Sequence, residues 1–168
     1  SPAISAGNVG NGAFAIQRPA GKFLVITGGS TNVTNLYDPV ANSSISGPTL
    51  ASGTVADGGF GFQRPDGKFV VVNGGGSAVT NIYDPVANTF TAGSSLASGT
   101  AQWGSHAITR PDGTFLIING NNGTATNLYN PITNTFTAGQ TLAFNVGMGS
   151  HSIQRPDGKF LLVAGGTS

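Results

Sequence analysis

Few residues of this chain have side chains that could bind or transform a ligand. The sequence contains two histidines, His106 and His151, a single tryptophan, Trp103, and no cysteine. All six acidic residues are aspartates, and every one except Asp57 lies in a repeated turn motif. Acid–base catalysis needs paired carboxylates or a histidine oriented by an acid, and a metal held by two imidazoles needs a further ligand. The sequence shows neither arrangement, so it predicts no catalytic residue, no metal site and no cofactor.

Two sets of equivalent positions differ among the copies of an internal repeat, and we take them as candidate ligand-binding residues. One set directly precedes a shared glycine, and the other follows that glycine by two positions. The sets are Asn11, Asp57, Trp103 and Met148, and Phe14, Phe60, His106 and His151. Variable loop residues on a constant scaffold are typical of binding sites. A neutral glycan would suit the tryptophan; the alternative is that these side chains fill a channel or pack between repeats, with structural hydrogen bonds for the histidines.

The repeat itself is marked by the motif Arg-Pro-x-Gly, which occurs four times. Its arginines are 46, 46 and 45 residues apart, a spacing typical of a blade-sized structural unit. They are Arg18, Arg64, Arg110 and Arg155. The whole chain, residues 1–168, is therefore interpreted as one domain of four repeats at about 8–53, 54–99, 100–144 and 145–168, the last of them incomplete.

Each complete repeat contains four segments of strand character, which we call A to D. Segment A leads into Arg-Pro, and the Pro-Asp-Gly that follows favours a tight reversal. Segment B is a continuous apolar run, as expected of a strand buried on both faces. Segment C ends in Tyr-Asp-Pro or Tyr-Asn-Pro, where proline stops strand pairing. The B and C segments are 23–26 and 34–37, 69–72 and 80–83, and 115–118 and 126–129; the D segments are 89–92, 135–138 and a weaker one around Ser44-Ile45.

Four short strands per repeat predict an all-β fold, a β-propeller of four-stranded antiparallel blades. The glycines after segment B, the Tyr-Asp-Pro of segment C and the aromatic residue of segment D resemble kelch and galactose-oxidase-like propeller repeats over nearly the whole chain. Kelch repeats usually carry tryptophan in segment D, where this chain has Phe90, Phe136 and Ser44. The catalytic residues of galactose oxidase do not carry over, because its copper site uses a tyrosine joined to cysteine. A parallel β-helix is the alternative fold, disfavoured because hairpin turns imply antiparallel strands.

The fourth repeat contains segments A and B only, so the sequence predicts about three and a half blades. Its last strand, 160–163, would present a bare apolar edge, which invites association with another strand. We therefore expect partners: copies of this chain that assemble, or the remaining blades of a larger propeller. Two chains would supply 28 strands, the number in seven four-stranded blades, although the connectivity of such a ring does not follow. A compact four-bladed monomer is the third possibility.

Charge is sparse and confined to repeated turns. The net charge is +1, and nearly all charged residues belong to the A–B and C–D turns, which share one end of a blade. This pattern excludes the dense basic surface of a nucleic-acid-binding protein. The longest aliphatic and aromatic runs have four residues, far short of a membrane span. A glycine-rich, weakly charged composition is common among secreted and cell-surface β proteins, so we expect an extracellular or cell-surface location.

Three functions are compatible with these features. The favoured one is a non-catalytic structural or interaction module that assembles through its blades. The second is a lectin-like propeller that binds carbohydrate at the candidate residues. The third is a fragment of a galactose-oxidase-like enzyme whose catalytic residues lie on other blades.

Overall fold

The computed structural model describes residues 4–166, which form fourteen short β-strands and one 3-10 turn at Pro19–Gly21. The strands build three four-stranded sheets and one two-stranded sheet, and each sheet corresponds to one repeat. The strands are β1 (Phe14–Gln17), β2 (Phe23–Ile26), β3 (Thr34–Asp38) and β4 (Ser43–Ser46); β5 (Phe60–Gln63), β6 (Phe69–Val72), β7 (Thr80–Asp84) and β8 (Thr89–Ala92); β9 (His106–Thr109), β10 (Phe115–Ile118), β11 (Thr126–Asn130) and β12 (Thr135–Ala138); and β13 (His151–Gln154) and β14 (Phe160–Val163).

Within each sheet the strands lie in chain order and every pairing is antiparallel. The predicted segments A to D are therefore confirmed as successive strands of one blade-like sheet, and the antiparallel pairing excludes a parallel β-helix. The register also repeats: Phe69 pairs with Tyr83, which pairs with Phe90, and the corresponding residues of the third repeat pair in the same way.

The A–B turn shows why the Arg-Pro-Asp-Gly motif recurs. The Arg64 amide donates to the Lys68 carbonyl, and the Gly67 amide donates back to the Arg64 carbonyl, which closes the reversal. Gly67 has a φ of 82°, a region in which a side chain is strained. The Asp66 carboxylate accepts from the Lys68 amide, as aspartate does in tight turns. Equivalent bonds form in the third and fourth repeats.

The core lies between successive sheets. Apolar side chains of one face of a sheet pack against the opposite face of the next sheet, and this forms three clusters, one at each boundary between repeats. We call the face toward the following repeat the trailing face and the one toward the preceding repeat the leading face. In the second repeat the trailing face presents Val70, Val72 and Ile82, and the leading face presents Phe69, Val71 and Tyr83.

Burial of segment B on both faces holds only where a sheet has neighbours on both sides. Strands β6 and β10 are almost entirely buried, whereas alternate residues of β14 are exposed. The reason is that no described sheet covers the trailing face of the fourth repeat, where Leu161 is 54% exposed and Ile153 is 50% exposed. Among residues 4–166 there is no helix long and apolar enough to cross a membrane.

Candidate functional site

The first set of candidate residues lies in four equivalent tight turns, which we call the upper turns. Each upper turn has four residues and is closed by a bond from the fourth amide to the first carbonyl, at 2.8–3.1 Å. Asn11, Asp57, Trp103 and Met148 occupy the second position. A glycine with positive φ follows each of them, as a type II turn requires. The upper turns are residues 10–13, 56–59, 102–105 and 147–150.

The main chain of every candidate in the upper turns is fixed by the loop after segment B of its own repeat. The carbonyl of Asp57 accepts from the Gly75 amide at 2.7 Å, and that of Trp103 accepts from the Asn121 amide at 3.0 Å. The same bond holds Asn11 and Met148. Because these bonds use only main-chain atoms, they leave the type of side chain free. This explains how one scaffold carries an amide, a carboxylate, an indole and a thioether at the same position.

Adjacent upper turns touch through their backbones. A Cβ atom added to Gly12 would overlap the Ala56 carbonyl, and one added to Gly58 would overlap the Gln102 carbonyl. Ser150 Oγ donates to the Gly104 carbonyl at 2.5 Å, which connects the third and fourth turns. Gly149, in the fourth turn, has nothing within 4 Å of such a Cβ. The turns therefore form a continuous row, and the variable side chains of neighbouring repeats are brought together along it.

The second set of candidates begins the A strands and makes contacts between repeats. The ring of Phe14 lies against Gly61, where a Cβ would be 2.8 Å from a ring atom. Phe60 packs against the cluster between the second and third repeats. His106 Nε2 lies 2.7 Å from Ser152 Oγ of the fourth repeat. His151 is exposed, and its Nδ1 lies 3.3 Å from the Gly149 carbonyl.

The environment of His106 assigns its tautomer. Nδ1 lies 2.9 Å from the Gly104 carbonyl, which can only accept, so Nδ1 carries the proton and Nε2 accepts from the Ser152 hydroxyl. Burial lowers the pKa of His106, the charge of His151 lowers it further, and the bond to Gly104 opposes the change. Within residues 4–166 no group of three or more histidine, cysteine or acidic side chains is placed to hold a metal ion.

The opposite ends of the sheets carry the charges, as the sequence predicts. Lys22 Nζ lies 3.0 Å from Asp38 Oδ2, and Lys68 Nζ lies 3.1 Å from Asp84 Oδ2, so the A–B and C–D turns of a repeat share one end. The Lys22 ammonium and main-chain amides of the turn lower the pKa of Asp38. The main-chain amide of Ala87 and the Lys68 ammonium, in that order of importance, lower the pKa of Asp84.

Sequence reasoning missed the role of the arginines across repeats. Arg18 Nη2 donates to the Pro85 carbonyl at 3.1 Å, and Arg64 Nη2 donates to the Pro131 carbonyl at the same distance. Arg18 and Arg64 therefore each bind the C–D turn of the following repeat, whereas Arg110 and Arg155 bond within their own turns among residues 4–166. A signal for this was present, because arginine is the only charged residue of the turn motifs that all four repeats keep.

A cavity of about 420 Å³ lies on the trailing face of the third repeat, away from the candidate residues. Arg110, Leu116, Leu128 and Leu142 line it, together with other residues of the linker 140–143. In the first two repeats, the corresponding space is filled by aromatic side chains of the next sheet.

Comparison with known proteins identifies no family for this chain. No protein-family model matches the sequence, and no curated protein matches it. The resemblance to kelch repeats thus stays a prediction from the sequence motifs, and what can be stated is that the described chain is an all-β protein of blade-like antiparallel sheets.

Proposed function

We propose that this chain is a non-catalytic β-propeller module that assembles through the two end faces of its row of sheets, in an extracellular or cell-surface protein. The regular packing of successive four-stranded sheets supports a propeller, since radial stacking of such sheets is the propeller arrangement. The low charge and high glycine content support the location.

One observation supports the assembly: the chain has a leading face at one end and a trailing face at the other, and faces of these two types pack together at every internal boundary. The first repeat presents a leading face of Phe23, Val25 and Tyr37, all only half-buried. The fourth repeat presents a trailing face that includes Leu161 and Ile153. At the internal boundaries a trailing face of this kind packs against a leading face of this kind.

Head-to-tail contact between copies would repeat the internal packing at a new boundary. Such contacts close into a ring when the rotation per copy divides the circle. Burial of the apolar area now exposed would stabilise the contact by roughly 25 cal/mol for each Å² removed from water. Further blades of a larger propeller would cover the same faces in the same way.

Native mass spectrometry and analytical ultracentrifugation test the assembly. We expect an oligomer that Leu161→Lys dissociates, because the substitution places a charge at the centre of the trailing end face. Val86→Lys is the matched control, since Val86 is 87% exposed in a turn of the second repeat. A wild-type chain that stays monomeric at high micromolar concentration would contradict self-association.

A second candidate function is recognition of a neutral glycan by the row of upper turns. The indole of Trp103 favours it, because the side chain is only half-buried while its main chain is held by Asn121. A partly accessible tryptophan offers an apolar ring face and an N–H donor, and a sugar likewise has apolar C–H faces and polar hydroxyl groups.

A further inference from the structure

The C–D hairpin of each internal repeat completes the boundary with the repeat before it. In the second repeat the rings of Tyr83 and Phe90 lie 4.9 Å apart, and both pack against the trailing face of the first repeat. In the third repeat Tyr129 and Phe136 lie 4.7 Å apart and pack against the trailing face of the second repeat. Both tyrosines are fully buried.

Polar contacts fix the same hairpins. Arg64 of the preceding repeat donates to the Pro131 carbonyl at the hairpin turn and to Asn134 Oδ1, at 3.1 and 3.3 Å. Within the second repeat, Lys68 at the start of strand B pairs with Asp84 at the end of strand C. A hairpin is thus held at three places: an aromatic pair on the trailing face, an arginine at the turn, and a lysine on the neighbouring strand.

The groups that would receive such a hairpin, an apolar trailing face, an arginine and a lysine, are all present at the third boundary, where residues 4–166 supply no hairpin. Leu116 and Leu128 stand at the positions of Val70 and Ile82, and they line the cavity of about 420 Å³. Arg110 lies at one end of this cavity and bonds only within its own turn, to Thr114 and Asp112, among the described residues.

Strand β14, which borders this cavity, has an edge, unpaired among residues 4–166, to which a further strand could be added. Strand β14 pairs with β13 and with no further described strand, so its outer edge presents free backbone groups. Lys159 precedes β14 at the position of Lys68 and has no carboxylate within ion-pair distance among residues 4–166. An unpaired edge beside an apolar cavity is the arrangement by which proteins bind an added strand.

We propose that this groove, formed by the edge of β14, the cavity over Leu128, and the side chains of Arg110 and Lys159, binds a β-hairpin supplied by a different protein. The hairpin it fits has the chemistry of strands β7 and β8: a tyrosine before Asp-Pro, and an aromatic residue opposite that tyrosine. The aromatic pair fills the cavity, Arg110 binds the proline carbonyl, and Lys159 pairs with the aspartate. This groove is separate from the two end faces, so a chain that binds no hairpin could still assemble through those faces.

A synthetic peptide of residues 80–92 tests the inference directly. The peptide is labelled and titrated with the full chain, and binding is followed by fluorescence anisotropy. We expect saturable binding of the native peptide and at least tenfold weaker binding of a control peptide with Tyr83→Ala and Phe90→Ala. Amides of 160–163 should gain protection from hydrogen exchange when the native peptide binds.

Variants of the chain locate the binding. Leu128→Lys in the cavity and Arg110→Ala at its end should each weaken peptide binding, whereas Ile132→Lys should not, since Ile132 is 93% exposed in a turn. Equal binding of the two peptides, or no binding of either, overturns the proposal, and this comparison stands even if Leu128→Lys fails to fold. A dimer that the native peptide cannot displace and Leu128→Lys dissociates would show that a second copy occupies the groove, which also overturns it.

Discussion

His106 Nε2 lies 2.7 Å from Ser152 Oγ, across the boundary between the third and fourth repeats. The equivalent pair at the first boundary is apolar: the ring of Phe14 lies against Gly61. At the second boundary the residues are Phe60 and Ala107, which pack on a common cluster. At the first two boundaries an aromatic ring thus faces a small apolar residue that forms no side-chain hydrogen bond. At the third boundary an imidazole faces a hydroxyl and bonds to it. The partner across the boundary, more than the fold itself, explains the change from phenylalanine to histidine.

The His106–Ser152 pair should make stability depend on pH. Burial lowers the pKa of His106 below its ordinary value of 6.5. The unfolded chain therefore binds the proton more readily, and the free energy of unfolding should fall as the pH drops below about 6.5. Urea denaturation at pH 7.5 and pH 5.5 measures this fall.

A double substitution provides the control for this dependence. His106→Phe with Ser152→Ala copies the pair found at the second boundary, so it should keep most of the stability at pH 7.5 and lose less at pH 5.5. His106→Phe alone should cost on the order of 1 kcal/mol, because it leaves a half-buried hydroxyl without its partner. An identical loss of stability in the wild type and the double variant would exclude His106 as the titrating group.

Arg64 should contribute more to stability than Arg155, although both belong to the same motif. The side chain of Arg64 is 12% exposed and bonds to Pro131 and Asn134 of the next repeat. The side chain of Arg155 is 56% exposed and pairs with Asp157 of its own turn. Arg64→Ala should lower the free energy of unfolding by about 2 kcal/mol, because a hydrogen bond to a charged group contributes about 1.5–3 kcal/mol. Arg155→Ala should change it by less than about 0.5 kcal/mol. Similar losses in chemical denaturation would show that the bond across repeats adds nothing.

The strands and their order could be predicted from the sequence because each strand has a local signal. The apolar run of 69–72 and the proline after Asp84 mark where strands form and stop, and both recur at a constant spacing. Those signals act within a repeat. They specify the four-stranded sheet and its register. Strands β6 and β7 are then buried on both faces because a neighbouring sheet packs on each side of the second repeat.

The contacts between repeats could not be predicted, since they join residues far apart in the chain through geometry that no local pattern encodes. Arg18 and Pro85 are 67 residues apart, and the bond between them depends on how two sheets stack. The candidate residues show the same limit. Their position before a glycine predicts a turn, but the contact of His106 with Ser152 requires the packing of the fourth sheet on the third.

Asn81 should be a major source of stability, because it joins a linker to two strands. Its Oδ1 accepts from the Ser52 amide at 2.8 Å, and its Nδ2 donates to the Ser52 carbonyl and to Asn73 Oδ1, both at 2.9 Å. Asn127 and Asn119 form the same arrangement with Ser98 in the third repeat.

Replacement of Asn81 by alanine would leave the half-buried Ser52 amide and the buried Asn73 Oδ1 without these partners, while the Ser52 carbonyl would keep its bond from Asn73 Nδ2. Each such group costs about 1–3 kcal/mol, so Asn81→Ala should lower the free energy of unfolding by about 3 kcal/mol. Thr89→Ala, on an exposed position of strand β8, is the control and should have little effect. The measurement is the urea midpoint of each variant; a small shift for Asn81→Ala would mean that water replaces the lost bonds.

Gly58 should tolerate alanine much less well than Gly149, although the two have φ angles of 73° and 78°. The strain of a side chain at positive φ, roughly 1–2 kcal/mol, is common to both positions. At Gly58 the new Cβ would also overlap the Gln102 carbonyl of the next repeat, whereas at Gly149 it meets no described atom. We expect Gly58→Ala to cost about 2 kcal/mol more than Gly149→Ala. Equal losses in thermal or urea unfolding would mean that the row of upper turns separates without cost.

Trp103 should carry any recognition of neutral glycans by the upper turns. Trp103→Ala removes the ring but keeps the main-chain bond between residue 103 and Asn121, so the turn itself should persist. Val86→Ala is the control, because Val86 is 87% exposed in a C–D turn, at the end of the sheets opposite the upper turns. On a glycan array, binding by the wild type should fall at least tenfold for Trp103→Ala, about 1.4 kcal/mol, and stay unchanged for Val86→Ala. An array on which the wild-type chain binds nothing, or on which both variants bind as the wild type does, would remove the lectin-like function and leave assembly as the role of the protein.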